Sequence, residues 1–357
     1  MRSGKNERGA QHLRDNTMPP LTPAHIMDVG MGFWPAKVLL SAVELGLFTA
    51  LGAKAMTGAE LQRALGLHAR ANPDFFDALL ALSFLERDGD GPDARYRNTA
   101  ETAMFLDRNS PQFMGGFLEM ANARLYRFWG DLTEGLRTGH AQNEIKHTGT
   151  SMFAELYSKP ERLEQFMDAM SGISAANFQA FAEKFDFSRY RTMCDIGGAT
   201  GQLSVLVARQ HPHMRCTSAD LPAATQIAQR KIAAAGLADR VSTAALDFFA
   251  DPLPKADVIT MGMILHDWNL EKKMHLIRAV YDALPLGGAF VVIENLIDDA
   301  RRQNAFGLMM SLNMLIEFGD AFDFTGADFI GWCRQAGFTK FEVIPLAGPA
   351  SAGVAYK

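Results

Sequence analysis

Features that would place a chain outside the reducing cytoplasm are scarce in these 357 residues. Only three cysteines occur, and Cys194, Cys216 and Cys333 form no CxxC pair, which argues against a disulfide framework or a zinc module. We expect no membrane span, because none of the apolar runs is interpreted as reaching the ~18 residues that such a span needs. Residues 1–20 are polar and basic and lack the apolar segment of a signal peptide, so we expect a disordered leader there. Together these absences predict a cytoplasmic protein without membrane contact.

An excess of positive charge is missing as well. The 35 Lys and Arg residues face 40 Asp and Glu residues, which gives a formal net charge of −5. A nucleic-acid reader needs a basic surface, so we expect no nucleic-acid partner. His211 and His213 flank a proline in a loop, with no cysteine or acid arranged around them. We therefore predict no metal site.

The length of the chain, and the change along it from helical patterns to alternating strand and helix patterns, indicate more than one domain. Residues 21–110 are mainly helical, and "TGAELQRALG" carries a capping signature in which Thr57 precedes Glu60 by three residues. Helices followed by the glycine-rich turn "RDGDGPDARYRNT" have the order of a winged helix. Residues 111–185 form helices rich in Met and Phe, which suit a core or a pocket for a flat ligand. Residues 186–357 alternate strands with helices, which predicts an α/β fold with a mostly parallel sheet and an antiparallel pair at its end.

The stretch "CDIGGATGQ", residues 194–202, is a glycine turn between a strand and a helix. It lacks the lysine of a triphosphate-binding loop, and Ile196 stands where a dinucleotide fingerprint needs its first glycine. Asp195, Asp220 and Asp247 come at the ends of three successive strands, where an open sheet binds ligands. Asp220 is placed to accept ribose hydroxyls, while Asp247 suits an exocyclic amine and the neighbouring Phe248 a purine face. Three acids would repel a pyrophosphate but attract a cationic nucleoside, which favours S-adenosylmethionine over NAD.

A second signal is "LHDW", which follows an apolar strand at the same sheet edge. His266 is a candidate general base, because the pKa of imidazole lies near operating pH. Its orienting partner is expected to be Glu294, at the end of the next strand, or Asp323, in a loop before the following helix. Asp323 has an equally strong alternative as the cap of the helix that begins near Thr325.

The combination "CDIGGATG…SADLP…ALDFF…LHDW" resembles the plant-type and bacterial small-molecule O-methyltransferases, the caffeate, isoflavone and acetylserotonin group. The resemblance implies a Rossmann-like class I methyltransferase domain preceded by an all-helical, winged-helix-like dimerisation domain, and hence a homodimer. It implies S-adenosylmethionine contacts for Gly197, Gly198, Asp220, Leu221, Asp247, Phe248 and Ser174, supported by Asp195. It also implies His266 as the base, flanked by Glu294 and Asp323. The acceptor would be a small, aromatic or secondary-metabolite hydroxyl compound contacted by Phe166, Met170, Trp129 and Met310. One departure is Gly262, where many plant members have a lysine.

Other functions stay open at this point. A related enzyme could methylate the sulfur of a small thioether hydroxy acid of the 4-methylthio-2-hydroxybutyrate type, on the way to dimethylsulfoniopropionate, with Arg124 and Arg127 binding the carboxylate. A protein that binds the cofactor without transferring a methyl group, or a DNA-binding winged-helix protein, is a further alternative. The seven acids and five Arg or Lys residues between Thr57 and Thr99 weigh against DNA binding.

Overall fold

The computed structural model describes residues 21–149, 156–157 and 160–357. The predicted leader, residues 1–20, lies outside the described residues. The helices are α1 (Ala24–Gly30), α2 (Phe33–Glu44), α3 (Leu47–Leu51), α4 (Gly58–Ala64), α5 (Asp74–Ala81), α6 (Ala100–Phe105), α7 (Gly115–Met120), α8 (Tyr126–Phe128), α9 (Leu132–Thr138), α10 (Ile145–Thr148), α11 (Pro160–Lys184), α12 (Gln202–Gln210), α13 (Pro222–Ala234), α14 (Leu270–Ala283), α15 (Ala305–Phe318) and α16 (Gly326–Ala336). The strands are β1 (Met56–Thr57), β2 (Leu85–Asp88), β3 (Arg95–Asn98), β4 (Thr192–Ile196), β5 (Arg215–Asp220), β6 (Val241–Ala245), β7 (Val258–Gly262), β8 (Ala289–Glu294), β9 (Lys340–Pro345) and β10 (Ser351–Tyr356).

The N-terminal part combines helices α1 to α6 with a small antiparallel sheet in the order β1-β3-β2. The expectation of an all-helical domain therefore needs a correction, because the glycine-rich turn closes a real hairpin. Helix α4 begins as its sequence predicts: the Thr57 hydroxyl accepts from the Glu60 N–H, and the Glu60 carboxylate accepts from the Thr57 N–H at 2.7 Å. Phe48, Phe76 and Tyr96 anchor the core of this part.

Helices α1 and α2 leave a broad apolar surface uncovered. Ile26, Phe33 and Trp34 are 73%, 51% and 60% exposed. The stretch Ala24–Glu44 is, by length and composition, long and apolar enough to cross a membrane. The expectation that no run reaches that length is therefore wrong. A turn at Met31 and Gly32 separates the two helices within this stretch.

The connection between the two ends of the chain is helical. Helices α7 to α9 follow one another with a π-helical segment, Ala121–Leu125, between α7 and α8. The long helix α11 packs on α7 and also on α12 and α13 of the C-terminal part. This helix therefore joins the helical region to the glycine turn at the start of α12.

The C-terminal part is built on a seven-stranded sheet in the order β6-β5-β4-β7-β8-β10-β9. Strands β4 to β8 are parallel, whereas β10 pairs antiparallel with both β8 and β9. The alternation of strands and helices along the sequence is thus confirmed, as is the antiparallel end. Alternate residues of the central strands bury on opposite faces: Val258 and Val291 belong to one core cluster, Ile259 and Val292 to the other.

The strand order reverses its direction between β4 and β7. From β4 the chain moves outward to β5 and β6, then returns to β7 and moves outward on the other side. In open α/β sheets a crevice forms at the carboxyl ends of the strands on either side of such a reversal, and ligands bind there. The glycine turn follows β4 and the "LHDW" turn follows β7, so this topology places both motifs at one crevice.

Candidate active site

Three glycines of the turn, Gly197, Gly198 and Gly201, have little room for a side chain. Gly197 and Gly201 adopt φ of +70° and +76°, a conformation that glycine tolerates best. A Cβ on Gly197 would lie 2.3 Å from Cδ1 of Ile264, in the "LHDW" turn. A Cβ on Gly198 would lie 2.4 Å from the Ser218 hydroxyl. The backbone of the turn therefore lies tightly between the base turn and β5, and the N–H groups of Gly197 and Gly198 donate to the Ala219 carbonyl at 2.8 and 3.3 Å.

Asp195 lies beneath this turn. Its carboxylate accepts from the Thr260 hydroxyl at 2.7 Å, and the residue is 4% exposed. Burial raises the pKa of Asp195 to about 7. The geometry makes it a support beneath the turn, whereas Asp247, after β6, is exposed.

Asp220, at the carboxyl end of β5, is tied to the turn. One carboxylate oxygen accepts from the Ala199 N–H at 2.9 Å, and the other accepts from the Leu221 N–H at 2.7 Å. Tyr157 donates its hydroxyl to the same carboxylate at 3.3 Å. Burial raises the pKa of Asp220. Tyr157 was missed by the sequence reasoning, since a lone tyrosine in a helical region carries no signal of its partner.

The next strand end presents Asp247 and Phe248 differently. Asp247 is exposed, and its carboxylate accepts from the Phe249 N–H at 3.0 Å. Phe248 lies edge-on to Phe249, with ring centroids 4.9 Å apart, and 6.1 Å from the ring of Trp268. An aromatic wall thus stands between the third acid and the base turn.

Helix α11 reaches the crevice through serines and a phenylalanine. Ser174 is buried, while the hydroxyl of Ser171, one turn earlier, lies 2.6 Å from that of Thr200 in the glycine turn. Phe178 lies against Gly262, where a Cβ would be 3.1 Å from its ring. A side chain at this position would therefore need the Phe178 ring to move by a few tenths of an ångström, which is consistent with glycine here.

His266 is buried, with carboxylates on both sides of its ring. Nδ1 lies 3.4 Å from Asp323 Oδ1 and 3.9 Å from Glu294 Oε2, and Nε2 lies 3.3 Å from Asp267 Oδ1. All three distances exceed the ~2.7–3.2 Å of an N–H···O hydrogen bond. Asp267 was quoted in the motif but not assigned a role from the sequence.

Of the two expected orienting acids, Asp323 lies closer to Nδ1. Glu294 already accepts from the Leu265 N–H at 3.1 Å, so it holds the backbone of the base turn. Asp323 does not cap α16, because the hydroxyl of Thr325 does so in a capping box with Asp328. Both acids are almost fully buried. The acids at Nδ1 favour a proton there, whereas Asp267, at a similar distance from Nε2, favours one on the other nitrogen.

The charges around His266 change its proton affinity. Burial alone would lower the pKa of the imidazole, but Glu294, Asp267 and Asp323 outweigh burial and raise it above its ordinary value. Burial raises the pKa values of Glu294 and Asp267 as well. Positive charge bound in the crevice would oppose these carboxylates and favour a neutral imidazole.

The candidate acceptor residues lie on several helices. Phe166 and Met170 are half-buried on α11, and Met310 is half-buried on α15, which contacts the turn that carries His266. Trp129 donates its indole N–H to Asn313, also on α15, at 2.9 Å. Helix α15 therefore links the base turn to the Met- and Phe-rich region.

Arg124 is not available for a substrate carboxylate. Its guanidinium donates to Glu144 at 2.5 and 2.7 Å and to Glu317 at 3.0 and 3.3 Å. Arg127, one turn away, is exposed. The two carboxylates that neutralise the charge of Arg124 weigh against the role that the thioether alternative gives it.

Comparison with known proteins decides the family. Residues 129–339 match the O-methyltransferase domain, and residues 27–108 match the O-methyltransferase dimerisation domain. The chain belongs to the O-methyltransferase family. It is 38% identical, over 94% of this chain and 97% of the relative, to the tetracenomycin polyketide synthesis 8-O-methyl transferase TcmO of Streptomyces glaucescens. It is 35% identical, over 93% and 94%, to a 3-hydroxy-5-methyl-1-naphthoate 3-O-methyltransferase of Streptomyces sahachiroi. Human N-acetylserotonin methyltransferase in complex with SAM superposes with a TM-score of 0.87 at 27% identity, over 96% of this chain and 99% of that one.

The methyltransferase uses S-adenosylmethionine as its methyl donor. The crevice fits this molecule: its glycine turn excludes side chains, and it offers carboxylates to a ligand that carries ribose hydroxyls and positive charge. His266, Glu294 and Asp323 each offer an atom within 4.8 Å of the others, and we assign no metal to them. The thioether, non-catalytic and DNA-binding alternatives are not favoured by these relatives.

Proposed function

We propose that this enzyme methylates a hydroxyl group of a flat, polycyclic aromatic metabolite, with His266 as the general base. The observation that carries the proposal is the buried imidazole, with Asp323 and Glu294 on its Nδ1 side, at the sheet edge that also holds the glycine turn and Asp220. The relatives named for tetracenomycin and a hydroxynaphthoate support an aromatic acceptor.

The residues that would hold S-adenosylmethionine are the backbone of Gly197 and Gly198, the carboxylates of Asp220 and Asp247, Leu221, Phe248, Ser174 and, as an addition to the sequence prediction, Tyr157. When bound, S-adenosylmethionine supplies an electrophilic methyl group on a sulfonium. Asp195 supports the turn from below. Phe166, Met170, Trp129 and Met310 are proposed to line the acceptor side.

In this proposal the two acids on the Nδ1 side, Asp323 and Glu294, outweigh the single Asp267 on the Nε2 side and keep the proton of the neutral imidazole on Nδ1. Nε2 then accepts the proton of the acceptor hydroxyl as the oxygen becomes nucleophilic. Such base catalysis contributes about 10²–10⁴-fold. The buried surroundings exclude water, which strengthens the interaction of the resulting imidazolium with the three carboxylates.

The test is His266→Ala, assayed with a panel of hydroxylated naphthoates and anthracyclic phenols by a mass gain of one methyl group. We expect turnover to fall about 10²–10⁴-fold, with calorimetric binding of S-adenosylmethionine retained. His275→Ala, which removes an exposed histidine from α14, is the matched control. Turnover by the His266 variant close to that of the unsubstituted enzyme would overturn the proposal.

The same role makes a prediction about pH. Because the carboxylates raise the pKa of His266, its neutral form is lost as the pH falls through that raised pKa. The acidic limb of the turnover profile should therefore lie above the ordinary imidazole pKa of ~6.5.

We further propose that the enzyme is a homodimer, with α1 and α2 covered by a second copy, in line with its dimerisation domain. We also propose that it is cytoplasmic, in line with its three free, buried cysteines.

A further inference from the structure

A lysine lies buried beside the base turn, at a position that neither the motif nor the mechanism uses. Lys273, on the inner face of α14, has no exposed surface, although its neighbour Lys272 is exposed. Buried lysines are rare, because taking an ammonium group out of water is costly unless it is compensated. Its retention in the core therefore calls for a compensating environment.

The compensation comes first from backbone carbonyls. The Lys273 ammonium donates to the carbonyl oxygens of Trp268 and of Phe322, the second at 2.8 Å. It also lies 3.6 Å from the centre of the Phe322 ring, within the range of a cation–π interaction. The hydrogen bonds of the ammonium thus go to two carbonyl oxygens, and not to a carboxylate.

The two carbonyls belong to the two segments that flank the imidazole. Trp268 directly follows Asp267, which lies beside Nε2 of His266, and Phe322 directly precedes Asp323, which lies beside Nδ1. One ammonium group therefore ties together the backbones that carry both of these acids. A second, exposed tie joins the same segments, where Asn269 donates to Asp320 at 2.8 Å.

The charges that act on Lys273 from its surroundings are those of acids. They are Glu294 from β8, Asp323 and Asp320 from the segment before α16, and Asp267 from the base turn. Burial lowers the pKa of Lys273 to about 8, against these acids, which raise it. Without the ammonium, the carboxylates would have only the imidazole to balance them, and a proton on the imidazole would become more favourable.

We propose that Lys273 is a positioning residue for the base: it fixes the segments that carry Asp267 and Asp323 and supplies the positive charge that keeps His266 able to accept a proton. The inference rests on the proposed role of His266. It adds a residue of this chain that acts through the carboxylates beside His266 and sets the pH at which the base works.

The test compares Lys273→Met, which keeps the length of the side chain, with Lys272→Met, which removes the same charge from the exposed side of the helix. Two readouts are used: the pH profile of turnover, and the titration of the His266 imidazole by NMR with labelled histidine. A unit charge removed from within ~10 Å changes a pKa by about one unit. We expect the Lys273 variant to move both the acidic limb of the pH profile and the titration of His266 upward by about one pH unit. At pH values below the acidic limb, turnover by this variant should be about tenfold lower than that of the unsubstituted enzyme. The Lys272 variant should leave both in place.

Unchanged curves for a folded Lys273→Met would overturn the inference. If this variant does not fold, Lys273→Gln keeps a hydrogen-bond donor without the charge and should show the same upward shift. The unsubstituted enzyme provides an independent test. Its His266 NMR signal, followed against pH, should show a second inflection at the pH where Lys273 titrates. A single inflection would contradict the coupling. The NMR readout needs no turnover, so it stays informative even if His266→Ala shows that the base is another group.

Discussion

Replacing Arg124 by methionine should destabilise the fold by about 3 kcal/mol, because this arginine holds the helical linker to α15. Its guanidinium binds Glu144 and Glu317, and their side chains are 21%, 24% and 4% exposed in the order Arg124, Glu144, Glu317. Removing one partner of a buried ion pair costs ~3–5 kcal/mol, since the other charge is left uncompensated. The partial exposure of Arg124 places the expected value at the lower end of this range.

The expected loss depends on pH in a defined direction. The pKa of Glu144 is lowered in the folded state: burial would raise it, but hydrogen bonds from Arg124 outweigh burial. A carboxylate with a lowered pKa stabilises the fold above its unfolded value of ~4.5, and this contribution is lost as the pH falls. The variant should therefore differ from the unsubstituted protein more at pH 7 than at pH 4.

Urea unfolding at both pH values measures the difference in the free energy of unfolding. The matched control is Arg127→Met, the exposed arginine one turn away, which should change stability by less than ~0.5 kcal/mol. Arg124→Met combined with Glu317→Gln should recover part of the loss, because it removes the carboxylate that would be left unpaired. A stable Arg124 variant whose KM rises only for acceptors that carry a carboxylate would refute this reasoning and restore the substrate-binding role.

Two further predictions follow from close packing and from the exposed helices. Gly198→Ala should weaken S-adenosylmethionine binding at least tenfold by calorimetry and cost ~1–3 kcal/mol in stability, because its Cβ would meet Ser218 at 2.4 Å. Gly172→Ala on α11, which has nothing within 4 Å of the added Cβ, is the control, and equal affinities in the two variants would contradict the packing argument. Replacing Phe33 and Trp34 together by serine should convert a dimer to monomers in sedimentation at micromolar concentration, whereas Leu286→Ser, at an 89% exposed site, should not. If the unsubstituted protein sediments as a monomer, the dimer proposal is contradicted.

Features that depend on short-range or periodic sequence patterns could be predicted from the sequence. The alternation of strands and helices from β4 onward, the cap at Thr57 and the placement of the glycine turn before α12 follow from short-range patterns, and the structure confirms them. The family resemblance is confirmed as well, because its motifs lie at strand ends whose order is fixed by the chain. The prediction that no apolar run is long enough to span a membrane was wrong for the stretch Ala24–Glu44.

Only the tertiary structure decided which segments far apart in the chain contact each other. Arg124 could be read as a free cation until Glu317, 193 positions away, was found beside it. The choice between Asp323 as a cap and Asp323 as a neighbour of His266 depended on which way a loop folds back over β7 and β8. The burial of Lys273, and not of Lys272, follows from the rotation of α14 against the sheet. Sequence spacing fixes which residues share an element, but the charges a side chain meets depend on how the elements pack, and that is a property of the whole fold.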